Sequence, residues 1–486
     1  MSDPLGLLPI ALAAGGGHVD GYEAQQLVAA GLTLLQRSAP LVRALERRRA
    51  AILLPTSPTF FTALAASEGR GAVLINPLAS RAEIAYQIAD ASVGAAFTIA
   101  SLADRLPPDT VRVLLDDAPR AARVIAGGVT RDIDLGSHHG LVLEGEADAP
   151  GARDEAAVVY TSALSGTLLG ARLTHANLLS NARATIEAGA MSREAHALAV
   201  LPFTHLFGLV VSGVAPLLAG GRVTTMGRFN PNRVIELLER ESITDLVAVP
   251  SVFTAVATRL ARRGARLADA GLRLCICGGA PLAVEVQDRW YELTGVELRQ
   301  GYGLTEAGPV CLFNRIDLPN RRGTLGVPFS GVRVSIRAEH QETGLPVGET
   351  GEICVAGPNV FVGYVNDGAH RAIPGDPWRA GLVRAGEWLR TGDRGVANGD
   401  GTVSFRGLIK PMFTRNGFNV YPREIERTIR AMPGVRRVTV RAVPHPAREH
   451  DIAITVDGDV DEVAVKQWCE ERLSAYKQPT EIKIER

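Results

Sequence analysis

No charge of one sign prevails in this sequence: 52 Lys and Arg balance 52 Asp and Glu. A neutral total gives no electrostatic case for nucleic acid or an anionic membrane surface. Cysteine is sparse and scattered, at Cys275, Cys277, Cys311, Cys354 and Cys469. No cluster of His and Cys completes a zinc site, and a reduced cytoplasm fits best. Cys275 and Cys277 lie two apart in a strand-like run and read as small core residues. Long apolar runs are lacking too. Residues 5–14, LGLLPIALAA, are too short to span a bilayer, and no basic residue precedes them as a secretion signal requires. They read as the edge of a first domain. Neither a solenoid-length repeat nor a low-complexity tract occurs.

What is present is a chain of 486 residues, 46% of them apolar, which is too long for one ordinary core. From Ala50, AAILLPTSPTFFTALAASEGRGAVLINP reads as strand, helix, strand, and AEIAYQIADASVGAAFT supplies the next helix and strand. Residues 193–301 repeat the rhythm through ALAVLP, RVTTM, DLVAVPS, LRLCICGGAPL and VELRQGYG. Such alternation predicts parallel, doubly wound α/β sheets. Residues 323–405 change character, with short β runs between Gly and Pro that suit a small β-barrel. Residues 411–486 return to mixed α+β, with helices expected at Arg423–Met432 and Asp461–Ala475.

One stretch, YTSALSGTLLGARLTH from Tyr160 to His175, combines a strand, a hydroxyl-rich loop and a helix. The strand signal is Ala156 to Val159, and the helix signal is Ala176 to Ala190 with Thr174 and Asn177 as cap residues. Between them Thr161, Ser162, Ser165, Gly166 and Thr167 offer hydroxyls and backbone N–H groups to an anion. An ordinary flexible loop would carry the same pattern. The stretch has no lysine, its only cation is Arg172, and the Gly-Lys-Ser/Thr of a Walker loop is absent.

This segment resembles the phosphate loop of the adenylate-forming superfamily, which comprises acyl-CoA synthetases, free-standing adenylation domains and luciferases. The family pattern is Tyr-Thr-Ser-Gly-Thr-Thr-Gly-x-Pro-Lys-Gly. Here Ala163, Leu164, Leu168 and Leu169 replace its Gly, Thr, Pro and Lys, so the loop is degenerate. Six further stretches resemble the family in order. LPFTHLFG places His205 and Phe207 where the family contacts the acyl carboxylate region. CGGAP, residues 277–281, resembles the adenine-pocket turn, with Gly279 and Ala280. In GYGLTE, residues 301–306, the family stacks the aromatic (Tyr302) on adenine beside Gly303, uses the Thr305 hydroxyl on the α-phosphate and holds Mg2+ through Glu306. GEICVAGPNVFVGY and WLRTGD follow, and Asp393 of the latter is implied to accept both ribose hydroxyls. GFNVYPREIE, residues 417–426, resembles the hairpin that lines the pantetheine tunnel, where Gly417 leaves room for the thiol. Each residue also has a plain reading: Tyr302 as core, His205 as a satisfied core histidine, Asp393 as a turn residue.

The resemblance implies an AMP-binding domain over 1–408, a hinge at 409–411 with Lys410 as the hinge residue, and a mobile domain over 412–486. The acyl pocket is implied among His205, Phe207, Gly208, Gly278 and Gly303, where small residues hint at room for a bulky group. It also implies two half-reactions: acid and ATP give acyl-AMP, then CoA displaces AMP. The catalytic set would be His205, Thr305 and Gly417, the cofactors CoA and the AMP moiety of an acyl-adenylate. Of the two lysines serving the first half-reaction, one is Leu169 here, and the chain ends at IKIER before the expected place of the other. The family's ribose-binding arginine is Leu408 here, and nearby Arg406 alternates differently along a strand. Losing one positioned cation costs ~10²–10³ in rate. The leading expectation is therefore a cytoplasmic ligase, in specialised natural-product metabolism, that makes a thioester from acyl-AMP delivered by a separate adenylating enzyme. A complete ATP-dependent synthetase using Arg172 or Lys477 instead, a non-catalytic acyl-adenylate binder, and transfer to a carrier-protein thiol remain alternatives. Neither nucleic acid nor membrane is expected as partner.

Overall fold

A computed structural model of the chain describes residues 8–46, 48–67, 71–136, 155–162, 168–267, 271–338, 341, 343–366, 388–409 and 412–485. Among them the fold is mixed α/β, with a large N-terminal and a small C-terminal domain. Two nine-stranded sheets dominate the large domain. The first runs, edge to edge, Gly363–Tyr364, Leu168–Thr174, Glu155–Ser162, Ala72–Leu74, Arg49–Leu53, Val93–Thr98, Val111–Leu115, Ala121–Ala126 and Val129–Asp134. Its centre is parallel, as the strand–helix alternation dictates, and its edges are antiparallel.

The second sheet has a parallel centre of Leu298–Tyr302, Leu274–Cys277, Asp245–Ala248, His196–Ala199 and Arg222–Thr225. The middle three, Leu274–Cys277, Asp245–Ala248 and His196–Ala199, are short runs buried on both faces, and Cys275 and Cys277 are fully buried within the first of them. The sheets share one apolar core in which Phe60, Phe61 and Phe203 meet edge to face, with centroids 5.3–6.4 Å apart. The N-terminal segment is part of that core: helix Leu8–Gly15 buries Leu8 and Leu12. None of the described helices is long and apolar enough to cross a membrane.

One expectation needs correction. The residues after the hydroxyl-rich loop form a strand, Leu168–Thr174, antiparallel to Glu155–Ser162, with Leu169 opposite Thr161. Helix His175–Gly189 begins only beyond it, so its N-terminus stands a strand's length from the loop. Thr174 and Asn177 do cap that helix, each side chain accepting the other's backbone N–H at 2.9–3.1 Å. Where a small β-barrel was expected over 323–405, the described residues form an antiparallel sheet of four strands, Arg333–Arg337, Thr350–Ala356, Leu389–Ala397 and Val403–Leu408.

The C-terminal domain has its own core of Phe413, Val420, Ile425, Ile429, Ile452, Ile454, Val465 and Leu473. Helices Pro422–Arg430 and Glu462–Arg472 cover a sheet of Val435–His445, Glu449–Gly458 and Glu481–Glu485. A short hairpin, Phe413–Arg415 and Phe418–Val420, projects from it. Arg415 anchors that hairpin by donating to the Tyr476 and Gln478 carbonyls at 3.2 and 2.8 Å.

Candidate active site

Ligands in open α/β sheets bind beyond the carboxyl ends of the parallel strands. Three neighbouring strands of the second sheet end side by side and release Val249, Gly278 and Gly303. The hairpin of the C-terminal domain lies over these ends. Between them is a cavity of about 650 Å³.

Most of the residues singled out by motif meet there. His205, Phe207, Gly278, Gly279, Ala280, Tyr302, Gly303, Thr305, Asp393 and Gly417 all line the cavity. Tyr302 donates its hydroxyl to Asp393 Oδ2 at 2.8 Å. Burial, then the Asp393 charge, hold the Tyr302 hydroxyl well above its ordinary pKa, so it stays a donor. Asp393 itself is buried, and its N–H is held by the Thr391 hydroxyl at 3.2 Å. His205 Nδ1 accepts the Phe207 N–H at 3.2 Å. Burial pulls its pKa down to about 4, so at neutral pH the ring is uncharged with its proton on Nε2. The ring sits at the start of a helical segment, Phe207–Val214, wound in π register.

Other expected site residues fall elsewhere. Gly208 is not on the cavity wall: a side chain there would meet the Pro202 carbonyl at 2.4 Å. Gly303 likewise faces the Pro309 carbonyl at 1.9 Å from the position of a Cβ, and Gly278 faces the Phe207 ring at 3.2 Å. At these positions the missing side chain lets neighbouring backbone and the Phe207 ring pack closely. Glu306 is buried behind the wall, its Oε1 accepting the Thr161 and Tyr364 hydroxyls at 3.0 and 2.8 Å. No described group of three or more His, Cys, Asp or Glu forms a ready-made metal site, and a magnesium ion held by one carboxylate would take its other ligands from the substrate's phosphates and water. Ser162 ends its strand, whereas Ser165, Gly166, Thr167 and Lys410 lie outside the described residues.

The two cations considered as substitutes for lysine are engaged away from the cavity. Arg172 pairs with Glu155 at 2.6 Å, and Lys477 is buried between Glu83 and Glu424. What motif reading missed is the share of the wall that comes from the C-terminal domain: Phe413, Thr414, Asn419, Ala442, Glu449 and His450. Asn419 lies inside GFNVYPREIE and was within reach of the motif. Glu449 and His450 belong to a different hairpin and carry no local signal.

The family model described as AMP-binding enzyme matches residues 39–365. The chain belongs to the AMP-binding enzyme family. A feruloyl-CoA synthase of Amycolatopsis sp is 31% identical over 445 residues, spanning 90% of this chain and 84% of that protein. Among solved structures, a malonyl-CoA ligase in a ternary product complex with methylmalonyl-CoA and AMP is similar at a TM-score of 0.78. That match is 26% identical and covers 97% of this chain and 95% of the other. ATP-bound MatB from Rhodopseudomonas palustris, also 26% identical, covers 97% and 91% at a TM-score of 0.68. The matched span includes LPFTHLFG, CGGAP and GYGLTE, three of the motifs that meet at the cavity.

Proposed function

We propose that this member of the family is a CoA ligase specialised to the thioester half-reaction: it takes an acyl-adenylate and CoA and releases acyl-CoA and AMP, with adenylation by ATP weak or lost. One observation carries the reading. Not one described residue lining the cavity is Lys or Arg. The hydroxyl-rich loop contains no cation either, and Leu169, at the position of the family lysine, is only 4% exposed within the core. A nucleoside triphosphate brings about four negative charges, which a low-dielectric site accepts only against matching cations. An acyl-adenylate brings one, and the polar groups present suit it: the Tyr302–Asp393 pair for the nucleoside and Thr305 for the phosphate.

Two further points support the same reading. The Gly417 hairpin is packed on the cavity, where an approaching thiol would pass. The names of the relatives, a feruloyl-CoA synthase among them, support CoA as acceptor.

The deciding experiment uses two reactions, both with CoA. Preformed acyl-AMP should give acyl-CoA without pyrophosphate, at least about 10²-fold faster than free acid with ATP, the span expected for one missing positioned cation. Equal rates would establish a complete synthetase, and no thioester in either reaction would make the chain a binder. Recognition of AMP has its own test. Asp393→Ala should weaken acyl-AMP binding by about 1.5–3 kcal/mol by calorimetry, because it removes charge-assisted hydrogen bonds and takes away the acceptor of the Tyr302 hydroxyl. Unchanged affinity with an intact fold would leave Asp393 a structural partner of Tyr302.

A further inference from the structure

Glu449 stands on the cavity wall with both its backbone and its side chain held unfavourably. It follows the turn of the hairpin joining Val435–His445 to Glu449–Gly458, and its φ of +61° is left-handed, a conformation that side-chain-bearing residues rarely adopt. Oε2 accepts the Gly417 N–H at 3.0 Å. Oε1 is enclosed and has no hydrogen-bond partner among the described residues. Cys277, at the end of the strand under the cavity floor, feels this carboxylate: burial, then the Glu449 charge, push its thiol well above the ordinary pKa. An orphaned carboxylate oxygen on a strained residue is costly, and such costs persist where a ligand completes the site. If the residue served only to tie down Gly417, one acceptor oxygen would suffice and the left-handed turn would favour glycine or asparagine.

We propose that Glu449 is a catalytic residue of the thioester step, its Oε1 accepting the proton of the thiol that arrives beside Gly417. This rests on the function proposed above. The S–H bond breaks and its proton passes to Oε1. The sulfur pair forms the C–S bond to the acyl carbonyl carbon, and the C–O bond to the phosphate breaks, with AMP leaving on that pair. The carboxylic acid then returns its proton to water before the next turnover. A thiol with a pKa of about 8.5 is only a few per cent ionised at neutral pH, so an acceptor in place matters. A nearby negative charge disfavours a standing thiolate, which makes transfer during attack the favoured course.

The other ionisable groups around Glu449 are few. His450, next on the strand, turns Nδ1 to the Thr414 carbonyl at 3.0 Å. Arg415 of the facing hairpin and Arg448 of the turn both pair with Asp451, at 3.3 and 2.9 Å. Cys277 lies beneath, and His205, Tyr302 and Asp393 share the cavity.

The test follows single-turnover thioester formation from acyl-AMP and CoA between pH 6 and 9. Glu449→Gln retains an acceptor for the Gly417 N–H but not the base. It should react about 10²-fold slower than wild type at pH 7. That deficit should shrink about tenfold per pH unit up to the thiol pKa, because solvent-generated thiolate then takes over. Acyl-AMP affinity should stay within about twofold of wild type. Glu449→Gly, suited to the left-handed φ, should be equally slow while melting no lower than wild type. The slope should persist in Glu449→Gln/His450→Gln, which excludes the imidazole as its source. If Glu449→Gln matches wild type in rate and pH profile, the carboxylate merely ties down Gly417 and the proposal falls. If wild type itself makes no thioester from acyl-AMP, the ligase reading falls and takes this one with it.

Discussion

Gly417→Leu should slow thioester formation by about 10³-fold, a loss of about 4 kcal/mol in transition-state stabilisation. Two separate physical causes act at this position. The backbone is left-handed, with φ +76°, where a branched side chain is strained. A Cβ there would also lie 2.5 Å from Val249 Cγ1 and about as close to the rest of that side chain, with Cβ at 3.0 Å and Cγ2 at 3.1 Å. Val249 closes the end of a buried strand and is itself buried, so it has nowhere to go. The hairpin must therefore lift off the cavity, opening the path of the thiol to water and moving Glu449, which is bonded to the Gly417 N–H. Acyl-AMP binding should fall by less than about tenfold, since Tyr302, Thr305 and Asp393 stay in the large domain. Val249→Ala removes the two methyl contacts but leaves Cβ at 3.0 Å and the strained φ, so in the Gly417→Ala background it should restore activity in part. Full activity in Gly417→Leu would mean that the hairpin does not border the thiol path.

Much of this was legible because the signals are local. Apolar runs such as DLVAVPS and LRLCICGGAPL mark strands whatever surrounds them, and GYGLTE carries Tyr302 and Thr305 together because one turn presents both. The Thr174–Asn177 cap was readable for the same reason. What failed needed distances between segments remote in sequence. A glycine reads as space until the opposing backbone is known; at Gly303 and Gly208 that space is filled by the Pro309 and Pro202 carbonyls. That Thr161 and Tyr364 hold Glu306 Oε1 was likewise out of reach of the sequence. The strand Leu168–Thr174 was hidden because its buried face pairs with a segment just across the loop, leaving none of the alternation that marks a half-exposed strand. Glu449 and His450 reach the cavity only because one domain lies over the other, and no periodicity records that.

The contact that holds the domains in this arrangement gives the last prediction. Lys477 is 1% exposed, and its Nζ lies 2.9 Å from Glu83 Oε1 in the large domain and 2.6 Å from Glu424 Oε1 in the small one. Ser474 donates to the other oxygen of Glu83, and Ser80, which caps the Glu83 helix, donates its hydroxyl to the Arg472 carbonyl at 2.9 Å. Burial alone would lower the lysine pKa; Glu424, Tyr476 and Glu83 reverse this and hold it well above its ordinary value. Burial likewise opposes the charge of Glu83, but Lys477, Ser474 and Ser80 outweigh it and hold the carboxyl below its ordinary pKa. Lys477→Ala would leave two carboxylates buried side by side with no cation, which typically costs about 3–5 kcal/mol. Because one carboxylate belongs to each domain, the relief available is separation. The variant should therefore show faster proteolysis at residues 409–411, loss of an interdomain distance signal, and a thioester rate reduced along with closure. The pH dependence has a definite sign. A lowered Glu83 pKa stabilises the closed form above the ordinary carboxylate range and ceases to do so as pH falls through the folded value, so wild type should open on acidification. The raised Lys477 pKa adds stability that is lost only well above pH 10. Lys477→Met combined with Glu83→Gln and Glu424→Gln removes all three charges and should recover much of the closure, since replacing a whole buried ionic cluster is often close to neutral. A single Lys477→Ala variant that stays closed and fully active would show that the other interdomain contacts, the Ser80–Arg472 bond and the hairpin at Val249 among them, hold the domains together without the lysine.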